Sequence, residues 1–531
     1  MIKDRRGFLK AAGTGLGAGA LVSLPQSAAA QNLSGQGRQA VFPVTDFGAK
    51  GDGSTLDTDA INSAIEAASR AGGGIILFPA GSYLSYSLHL KSNVTLHLPT
   101  GSTIVAAPGP KPGEQGKYDL PEPNDPWENY QDFGHNHWHN SLIWGEGIEN
   151  VAITGSGMIW GKGLSRGWDV EPRAEHPGAG NKAIALKNCR NVLLRDFAIL
   201  HGGHFGILAT GVDNFTIDNL TIDTNRDGMD IDCCRNVHVS NCTVNSPWDD
   251  GICLKSSYAL GYPRATEMVT ITNCTLTGDF EEGTVIDATL KHFPPEAKVP
   301  RTGRIKFGTE SNGGFKNIAI ANCVFEGCRG LAIETVDGGI IEDVSVSNLS
   351  MRDIREAPIF IRLGARMRGP EGVPVGVVRR VNISNVVCTS APGQKISSIL
   401  SGIPGHELED VRITGITVLH HGGGTSSEAA LRPAENEKKY PEPNMFGTTP
   451  SHGFFIRHVN GLEMGSVKIE SAADDARPAF VLDDVQGADF RFLKLPNSES
   501  NSFVLNKVRD FSVFRSKPVP DTELAEGDKR L

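Results

Sequence analysis

The chain has 531 residues and a hydrophobic content of 39%, so it is long enough to bury a sizeable core and is not of disordered composition. Its formal net charge of −10 argues against nucleic acid as a partner. Its 62 glycines indicate a fold rich in tight turns. A polyanionic glycan would need local basic residues to bind, because the net field of the chain repels it.

The N-terminus has the features of an export signal. Arg5 and Arg6 stand in a basic region, an apolar Gly/Ala-rich stretch follows at residues 11–24, and Ala28–Ala30 offers a small-residue cleavage site. This order is typical of a twin-arginine signal peptide, so we expect residues 1–30 to be removed and the mature protein to be periplasmic or secreted, without membrane attachment. A membrane anchor is disfavoured because the apolar stretch is short for a span.

A short amphipathic helix is predicted near the start of the mature chain. Asp57, Thr58 and Asp59 form a helix-start signal. Apolar residues then recur at helical spacing: Ala60, Ile61, Ala64, Ile65 and Ala68. We expect this capped helix to cover the N-terminal end of the fold, in a cap and first-coil region at residues 31–90.

A short motif recurs along the chain: Asn or Asp, then alternating apolar and polar residues, then Asn. The clearest copies begin at Asn191, Asn214, Asn236, Met268, Asn317 and Asp343. The tightest spacings are 23 and 22 residues, which fits one coil of stacked short strands. The sequence therefore predicts an all-β, right-handed, single-stranded parallel β-helix over residues 91–515, with the motif asparagines at turns, bonding their equivalents in the next coil. The leucine-rich repeat is disfavoured because leucine does not dominate the repeated positions.

Two long insertions interrupt the repeats. Residues 108–139 are rich in Pro and aromatic side chains, and residues 420–450 contain three consecutive glycines and several prolines. We expect both to be loops, and we hypothesise that they close one end of a cleft and make the protein exo-acting. The polar segment 516–531 is expected to be a flexible tail.

The chain has nine cysteines. Four directly follow an asparagine: Cys189, Cys242, Cys274 and Cys323. Recurrence at one motif position predicts a stacked ladder of small buried side chains, and the spacing typical of zinc sites is absent.

Two neighbouring repeats concentrate carboxylates. Asp227 stands 22 residues before Asp249, and Asp250 follows directly. One coil of separation would stack Asp227 and Asp249 about 4.8 Å apart, close enough for repulsion to raise at least one pKa. A protonated carboxyl beside an ionised one suits glycosidic hydrolysis, in which one protonates the leaving oxygen and another activates water. The alternative from the residues alone is a calcium site or a solvated turn.

At these residues the chain resembles glycoside hydrolase family 28, the polygalacturonase-like enzymes. The similarity rests on Asn225 with Asp227, on the Asp249–Asp250 pair, and on the longer segments Ser401–His406 and Tyr440–Gly447. It implies a pectin-lyase-like solenoid and an inverting hydrolase of pectic polysaccharide, with no metal or other cofactor. Asp249 would be the general acid, and Asp227 and Asp250 would hold and deprotonate a water, with carboxyl groups about 6.5–9.5 Å apart. We expect a monomer.

The sequence departs from the family at two motifs. The family's Gly-His-Gly after the Asp pair is absent. Arg304-Ile305-Lys306 matches the motif that grips a substrate carboxylate in polygalacturonases, yet counting coils places Ala332 and Glu334 at that level and Arg304 and Lys306 one coil earlier. We favour the coil count. It argues for a neutral or branched sugar at the cleavage point, as in rhamnogalacturonan, and still leaves Arg304 and Lys306 beside the aspartates.

Further substrate contacts are expected around the aspartates. The candidates are Asn225, His204, Lys255, Arg304, Lys306, Glu334 and Arg362. Several of them fall at related points of successive strands, and the alternative is an ordinary solvated ladder of ion pairs. The alternating His135, His137 and His139 stand near Trp127, Tyr130 and Trp138, which indicates a sugar-stacking wall or loop packing more than a metal site.

Two rival functions stay open. A calcium-dependent polysaccharide lyase on the same fold would use Lys255 or Lys306 as its base and the aspartates as calcium ligands. A non-catalytic glycan-binding solenoid would show no turnover. The glycan and the choice between endo and exo action are not fixed by the sequence.

Overall fold

A computed structural model describes residues 40–167, 176–496 and 502–531. The predicted signal peptide lies outside these residues and stays a prediction. Within the described ranges, no helix is both long enough and apolar enough to cross a bilayer.

The N-terminal region consists of one helix and seven short strands. They are β1 (Val41–Pro43), β2 (Asp52–Leu56), α1 (Thr58–Arg70), β3 (Gly74–Leu77), β4 (Gly81–Ser85), β5 (Leu88–His89), β6 (Val94–His97) and β7 (Ser102–Ala106). Helix α1 buries one face, made of Ile61, Ala64, Ile65 and Ala68. This face packs against β1, β3, β5 and β6, so the predicted helix covers the first strands.

The start of α1 differs from the prediction. Asp57 makes no side-chain hydrogen bond to the helix. Its carboxylate instead accepts hydrogen bonds from the backbone N–H groups of Lys50 (2.6 Å) and Gly51 (3.0 Å). Asp57 therefore fixes the turn before β2 rather than capping the helix.

The middle of the chain winds in coils of three short strands. These are β8 (Ile143–Glu146), β9 (Glu149–Thr154), β10 (Met158–Trp160), β11 (Lys182–Lys187), β12 (Arg190–Arg195), β13 (Ala198–Leu200), β14 (Phe205–Thr210), β15 (Asp213–Asp218), β16 (Thr221–Asp223), β17 (Asp227–Asp232), β18 (Arg235–Ser240), β19 (Thr243–Asn245), β20 (Ile252–Ser256), β21 (Thr266–Thr272) and β22 (Thr275–Thr277). Equivalent strands pair in parallel: Ile184 of β11 lies against Ile207 of β14, which lies against Met229 of β17. The coil length therefore matches the spacing of the sequence motif.

In the second half of the chain, neighbouring strands of one coil merge into long bent strands. The elements are β23 (Phe280–Glu282), β24 (Lys291–His292), β25 (Ile305–Ser311), β26 (Phe315–Glu326), β27 (Leu331–Thr335), β28 (Ile340–Ile354), β29 (Ile359–Leu363), β30 (Val377–Ser390), β31 (Ser398–Ser401), β32 (Leu408–His420), α2 (Ser426–Ala429), β33 (Phe454–Ser471), β34 (Phe480–Arg491), β35 (Phe503–Phe514) and β36 (Thr522–Arg530). Of the strands in the described residues, 34 form one sheet and β23 pairs only with β24. One continuous apolar cluster fills the interior from Val44 to Val519. The architecture is a parallel β-helix, as predicted.

The repeated asparagines form the predicted ladder at a turn. Asn191 donates to Asn150 (2.9 Å), Asn214 to Asn191 (2.9 Å) and Asn236 to Asn214 (2.8 Å). Each of these residues has a φ between 54° and 57°, in the left-handed region. Asparagine suits the position because it tolerates this backbone and carries both a donor and an acceptor.

The cysteine ladder is shorter than predicted. The turns of Cys242, Cys274 and Cys323 are consecutive, because Thr275 N donates to Cys242 O and Val324 N to Cys274 O. Cys189 lies at a different corner, where its carbonyl accepts from Asp213 N. All nine cysteines are free and buried.

The predicted flexible tail is wrong. Residues Thr522–Arg530 form β36, which pairs with β35 and runs antiparallel to it, in contrast to the strand pairs of the coils. The long loops are confirmed as regions without strands: 108–139 carries only a short 3-10 turn (Glu128–Tyr130), and 420–450 carries α2 and a 3-10 turn (Pro443–Phe446).

Candidate active site

The aspartates lie where β17 and β20 begin. Met229 of β17 lies opposite Ile252 of β20, an offset of 23 residues, so the level partner of Asp227 is Asp250 rather than Asp249. The offset predicted from the sequence was therefore one residue short. The Gly228 N–H donates to the Asp250 carbonyl (2.9 Å). A Cβ on Gly228 would stand 2.4 Å from the Gly251 carbonyl oxygen, so this close approach of the two strands requires glycine.

Three carboxylates meet at this point. Asp227, Asp249 and Asp250 each place one oxygen within 4.8 Å of the others. The side chain of Asp249 is 29% exposed, whereas that of Asp250 is only 4% exposed. They open into a pocket of about 270 Å³, lined by Asp132, Phe133, His135, His204, Arg226, Asp227, Asp249, Asp250, Lys255 and Tyr440. Larger grooves exist, including one of about 650 Å³ beyond the far ends of β14 and β17, but the carboxylate cluster is in this smaller pocket.

The surroundings push the three pKa values apart. Burial and the charge of Asp249 raise the pKa of Asp227 well above its usual range. Burial and the charge of Asp250 also raise the pKa of Asp249, although Arg226 donates to its carboxylate (2.7 Å). Burial alone would raise the pKa of Asp250, but attraction to Lys306 and Arg304 outweighs it, and that pKa lies below its usual range. The cluster therefore places carboxyls with raised and lowered pKa values side by side.

A buried cation cluster lies behind Asp250. Arg304 Nε donates to one oxygen of Asp250 (2.9 Å) and Lys306 Nζ contacts the other (3.3 Å). Both cations also contact Glu442, which belongs to the loop 420–450. The expectation that Arg304 and Lys306 lie beside the aspartates is confirmed, but both are already paired with carboxylates of the chain.

A second network supports the opposite side of the pocket. His135 Nε2 contacts Asp230 (2.9 Å), and Lys255 Nζ donates to Glu310 (2.9 Å). Burial lowers the pKa of Lys255, but the neighbouring Cys253 and the carboxylates of Glu310, Asp230 and Asp227 outweigh this effect and hold the pKa well above its usual range. Glu310 also accepts from the backbone N–H of Asp132 (2.8 Å), which ties the loop 108–139 to the strands.

The coil count made from the sequence is confirmed. Strand β25, which carries Lys306, pairs directly with β20, and Lys306 in turn lies opposite Ala332 of β27. Glu334 and Arg362 are level with each other on β27 and β29, one coil and two coils further on.

Five of the seven predicted substrate contacts do not line the pocket: Arg304 and Lys306, which lie behind Asp250, and also Arg362, Glu334 and Asn225. Arg362 donates to Ser401 Oγ, to the Gly402 carbonyl and to the Glu435 carbonyl, so it anchors the loop 420–450. Glu334 is fully buried, and burial raises its pKa to about 8. Asn225 is partly buried and is not among the pocket-lining residues. His204 and Lys255 do line the pocket, and burial with nearby Arg226 lowers the pKa of His204 well below its usual range.

The three alternating histidines have separate partners. His135 contacts Asp230, His137 contacts Glu128 (3.3 Å), and His139 contacts Glu146 (3.0 Å). Trp138 is fully buried and donates to Thr210 (3.1 Å), while Trp127 and Tyr130 pack on Tyr258. Of the two interpretations left open, loop packing is the one that the described residues fit.

Sequence reasoning missed the pocket residues supplied by loops: Asp132, Phe133, Tyr440 and, behind them, Glu442. No repeat marks these positions. The similarity of Tyr440–Gly447 to glycoside hydrolase family 28 is the one signal in the sequence that points to Tyr440 and Glu442.

Two family models match the sequence. One, described as rhamnogalacturonase A/epimerase, pectate lyase-like, matches residues 41–107, and one described as a right handed beta helix region matches residues 170–293. A probable polygalacturonase of Vitis vinifera is 24% identical over 396 residues, covering 71% of this chain and 73% of that protein.

Solved structures with the same architecture include two exopolygalacturonases. The family 28 exopolygalacturonase of Yersinia enterocolitica has a TM-score of 0.61 at 19% identity, covering 85% of this chain and 78% of that one. The hyperthermoactive exopolygalacturonase of Thermotoga maritima has a TM-score of 0.50 at 20% identity, covering 93% of this chain and 95% of that one. The fold class is thus a right-handed parallel β-helix. Within that class, the resemblance of the sequence to the polygalacturonase-like proteins of glycoside hydrolase family 28 is confirmed.

Proposed function

We propose that this protein is a glycoside hydrolase that cleaves a pectic polysaccharide with its aspartate cluster. The observation that carries the proposal is the meeting of Asp227, Asp249 and Asp250 in one pocket, with pKa values displaced in opposite directions. Glycosidic hydrolysis needs one carboxyl that keeps its proton and one that has lost it. The names of the similar proteins support a galacturonan or rhamnogalacturonan as the substrate class.

The roles follow from exposure and charge. Asp249 is the most accessible of the three and has a raised pKa, so it serves as the general acid that protonates the leaving oxygen. Asp250 stays ionised beside Arg304 and Lys306 and accepts a proton from the attacking water. Asp227, level with Asp250, helps to hold that water.

We propose that the reaction inverts the anomeric centre. Inverting enzymes place their carboxyl groups about 6.5–9.5 Å apart and retaining enzymes about 5–5.5 Å apart. The nearest oxygens of the three aspartates lie within 4.8 Å, a shorter measure than the separation of whole carboxyl groups. The anomer of the first product, observed by NMR before mutarotation, distinguishes the outcomes; a product with the configuration of the substrate would assign a nucleophile role to one aspartate.

The pocket walls favour exo action. The loop 108–139 supplies Asp132, Phe133 and His135, and the loop 420–450 supplies Tyr440. A cleft closed in this way accepts a chain end. We therefore expect monomers or dimers from the start of a digestion, and early release of long internal oligomers would contradict the expectation.

The lyase alternative is less well supported. A lyase needs an unprotonated base, but Lys255 and Lys306 are each paired with carboxylates, and these neighbours hold both pKa values well above the usual range. The three aspartates could still bind Ca²⁺. Activity that survives a calcium chelator, without ultraviolet-absorbing products, would support the hydrolase.

The decisive experiment is a product analysis on homogalacturonan and rhamnogalacturonan. We expect saturated reducing ends from the wild type and a loss of at least about a hundredfold in kcat for Asp249→Asn. Asp489→Asn, on the remote strand β34, is the matched control and should retain full activity. Activity that survives in Asp249→Asn would contradict the mechanism, and absence of turnover in the wild type would favour a glycan-binding solenoid. We also propose export to the periplasm or medium, which cell fractionation tests.

A further inference from the structure

We propose that Glu442 sets the charge preference of this cleft, because its carboxylate occupies the cation cluster of Arg304, Lys306 and Arg329 and leaves that subsite to an uncharged sugar unit. The inference rests on the proposed function. It assigns a specificity role to a residue that makes no contact with the aspartates and belongs to an inserted loop.

Three cations contact the carboxylate of Glu442. One oxygen accepts from Arg304 Nη2 (2.7 Å) and contacts Lys306 Nζ (3.3 Å), and the other accepts from Arg329 Nη1 (2.9 Å). Arg304 and Lys306 are only 1% and 3% exposed, and Glu442 is 16% exposed. These cations therefore meet a carboxylate of the chain itself and are shielded from solvent.

The remaining charges close the cluster. Asp250 takes the other faces of Arg304 and Lys306, and Glu356 lies near Arg304 (3.7 Å) and Arg329 (3.4 Å). A uronate carboxylate arriving here would have to displace Glu442 or bear its repulsion. A neutral or esterified sugar would neither need to displace Glu442 nor be repelled by its charge.

The loop holds Glu442 in place before any substrate binds. Pro441 and Pro443 flank it and restrict the backbone on both sides. Phe446, at the end of the same turn, packs against Phe360 and Phe455. Tyr440 extends from this segment over Lys306 Nζ, with 5.3 Å to the ring centroid, and forms part of the pocket wall.

The first test uses the wild-type protein and two substrates that differ only in charge. Galacturonan oligomers of one length are compared as free acids and as full methyl esters. We expect esterification to leave kcat/KM unchanged or to raise it. A preference of tenfold or more for the free acid would overturn the inference while leaving the proposed hydrolase intact. If no pectic oligomer is cleaved, and none binds to Asp249→Asn in calorimetry, the proposed function itself fails and the inference falls with it.

The second test frees the cations. Glu442→Gln keeps the side-chain size and removes the charge, so the ratio of kcat/KM for free acid over ester should rise about tenfold or more. The control is Glu435→Gln, in the same loop, whose carboxylate contacts Arg457 and His458 instead. It should leave the ratio within about twofold. An equal loss on both substrates in Glu442→Gln would reduce Glu442 to a loop anchor and overturn the inference. If that variant does not fold, the wild-type comparison remains decisive.

Discussion

Asp249 and Asp250 are neighbours in the chain, yet they lie in opposite electrostatic surroundings. The Asp250 side chain is held by Arg304 and Lys306, whereas the Asp249 side chain is more exposed and contacts Arg226. A one-residue step at the start of a strand is enough to give two carboxyls pKa shifts of opposite direction. The division of labour proposed for hydrolysis depends on this step.

The pH dependence of activity follows from these two groups. The pKa of Asp250 lies below its usual value near 3.8, so this base stays ionised, and activity is kept, until the pH falls below that value. The pKa of Asp249 lies above 3.8, so its proton is lost, and activity falls, only at a higher pH. We expect a bell-shaped profile of kcat/KM with an acidic limb below about pH 4. Lys306→Met should move the acidic limb upward, and an unmoved limb would contradict the assignment of Asp250.

The asparagine ladder can be tested at one position. Asn214 accepts from Asn236 and donates to Asn191, with a φ of 55°. Asn214→Ala removes both bonds and leaves the left-handed backbone without the polar side chain that favours it, so the free energy of unfolding should fall by about 1–2 kcal/mol. Denaturant titration measures the loss. Asn214→Gly is the control, because glycine also removes both hydrogen bonds but adopts the left-handed backbone without strain. An equal loss in both variants would assign the whole effect to the hydrogen bonds.

At the scale of single residues, the sequence predicts the positions of those side chains that belong to the repeated motif. The aspartates and the ladder asparagines recur with the coil, so their spacing brings them together. Glu442, Tyr440 and Asp132 lie on insertions, whose path depends on tertiary contacts such as those of Arg362 with the Glu435 carbonyl. These contacts follow no periodic pattern in the sequence, so the positions of the three residues could not be predicted from it.

At the scale of elements, helix α1 closes one end of the strand stack with a single apolar face. Ile61 and Ile65 are buried on that face, and Glu66 on the other side contacts Lys91 (3.0 Å). Helical spacing predicted this helix from the sequence. The sequence does not predict that strands merge into β26, β28 and β30. The bends within these long strands carry the same left-handed residues that mark turns between separate strands elsewhere, such as Asn317 and Asn322 in β26.

The contribution of this cap can be measured on α1. Ile65→Ala removes buried carbons and leaves a cavity, which should lower the free energy of unfolding by about 2–5 kcal/mol. Glu66→Ala breaks only the half-exposed pair with Lys91 and should cost less than about 1 kcal/mol. Both are followed by denaturant unfolding, and equal effects would show that α1 is not packed as described.

At the scale of the molecule, stability comes from stacking rather than from covalent cross-links. Nine thiols are buried and free, and burial raises the pKa of several of them, including Cys234 and Cys253. Cys242, Cys274 and Cys323 follow one another along the stack. The chain can therefore reach this structure in a reducing compartment.

Thiol titration checks this conclusion. We expect no rapid reaction of the native protein with a thiol reagent, and nine reactive thiols in denaturant without added reductant. The unfolding midpoint should be the same with and without reductant. Fewer than nine thiols in denaturant would reveal a disulfide in the purified protein.

Strand β36 covers β35 and so closes the C-terminal end of the strand stack. Every coil presents a row of unpaired N–H and C=O groups to whatever follows it, so an uncovered last coil would be a template for another copy of the chain. Strand β36 runs antiparallel to β35 and carries several charged side chains, which disfavour the addition of a further strand: Glu523, Glu526, Asp528, Lys529 and Arg530. Because α1 still covers the other end of the stack, a protein shortened to Pro520 should pair through the exposed edge of β35 into dimers, as light scattering would detect, while the full chain keeps one size.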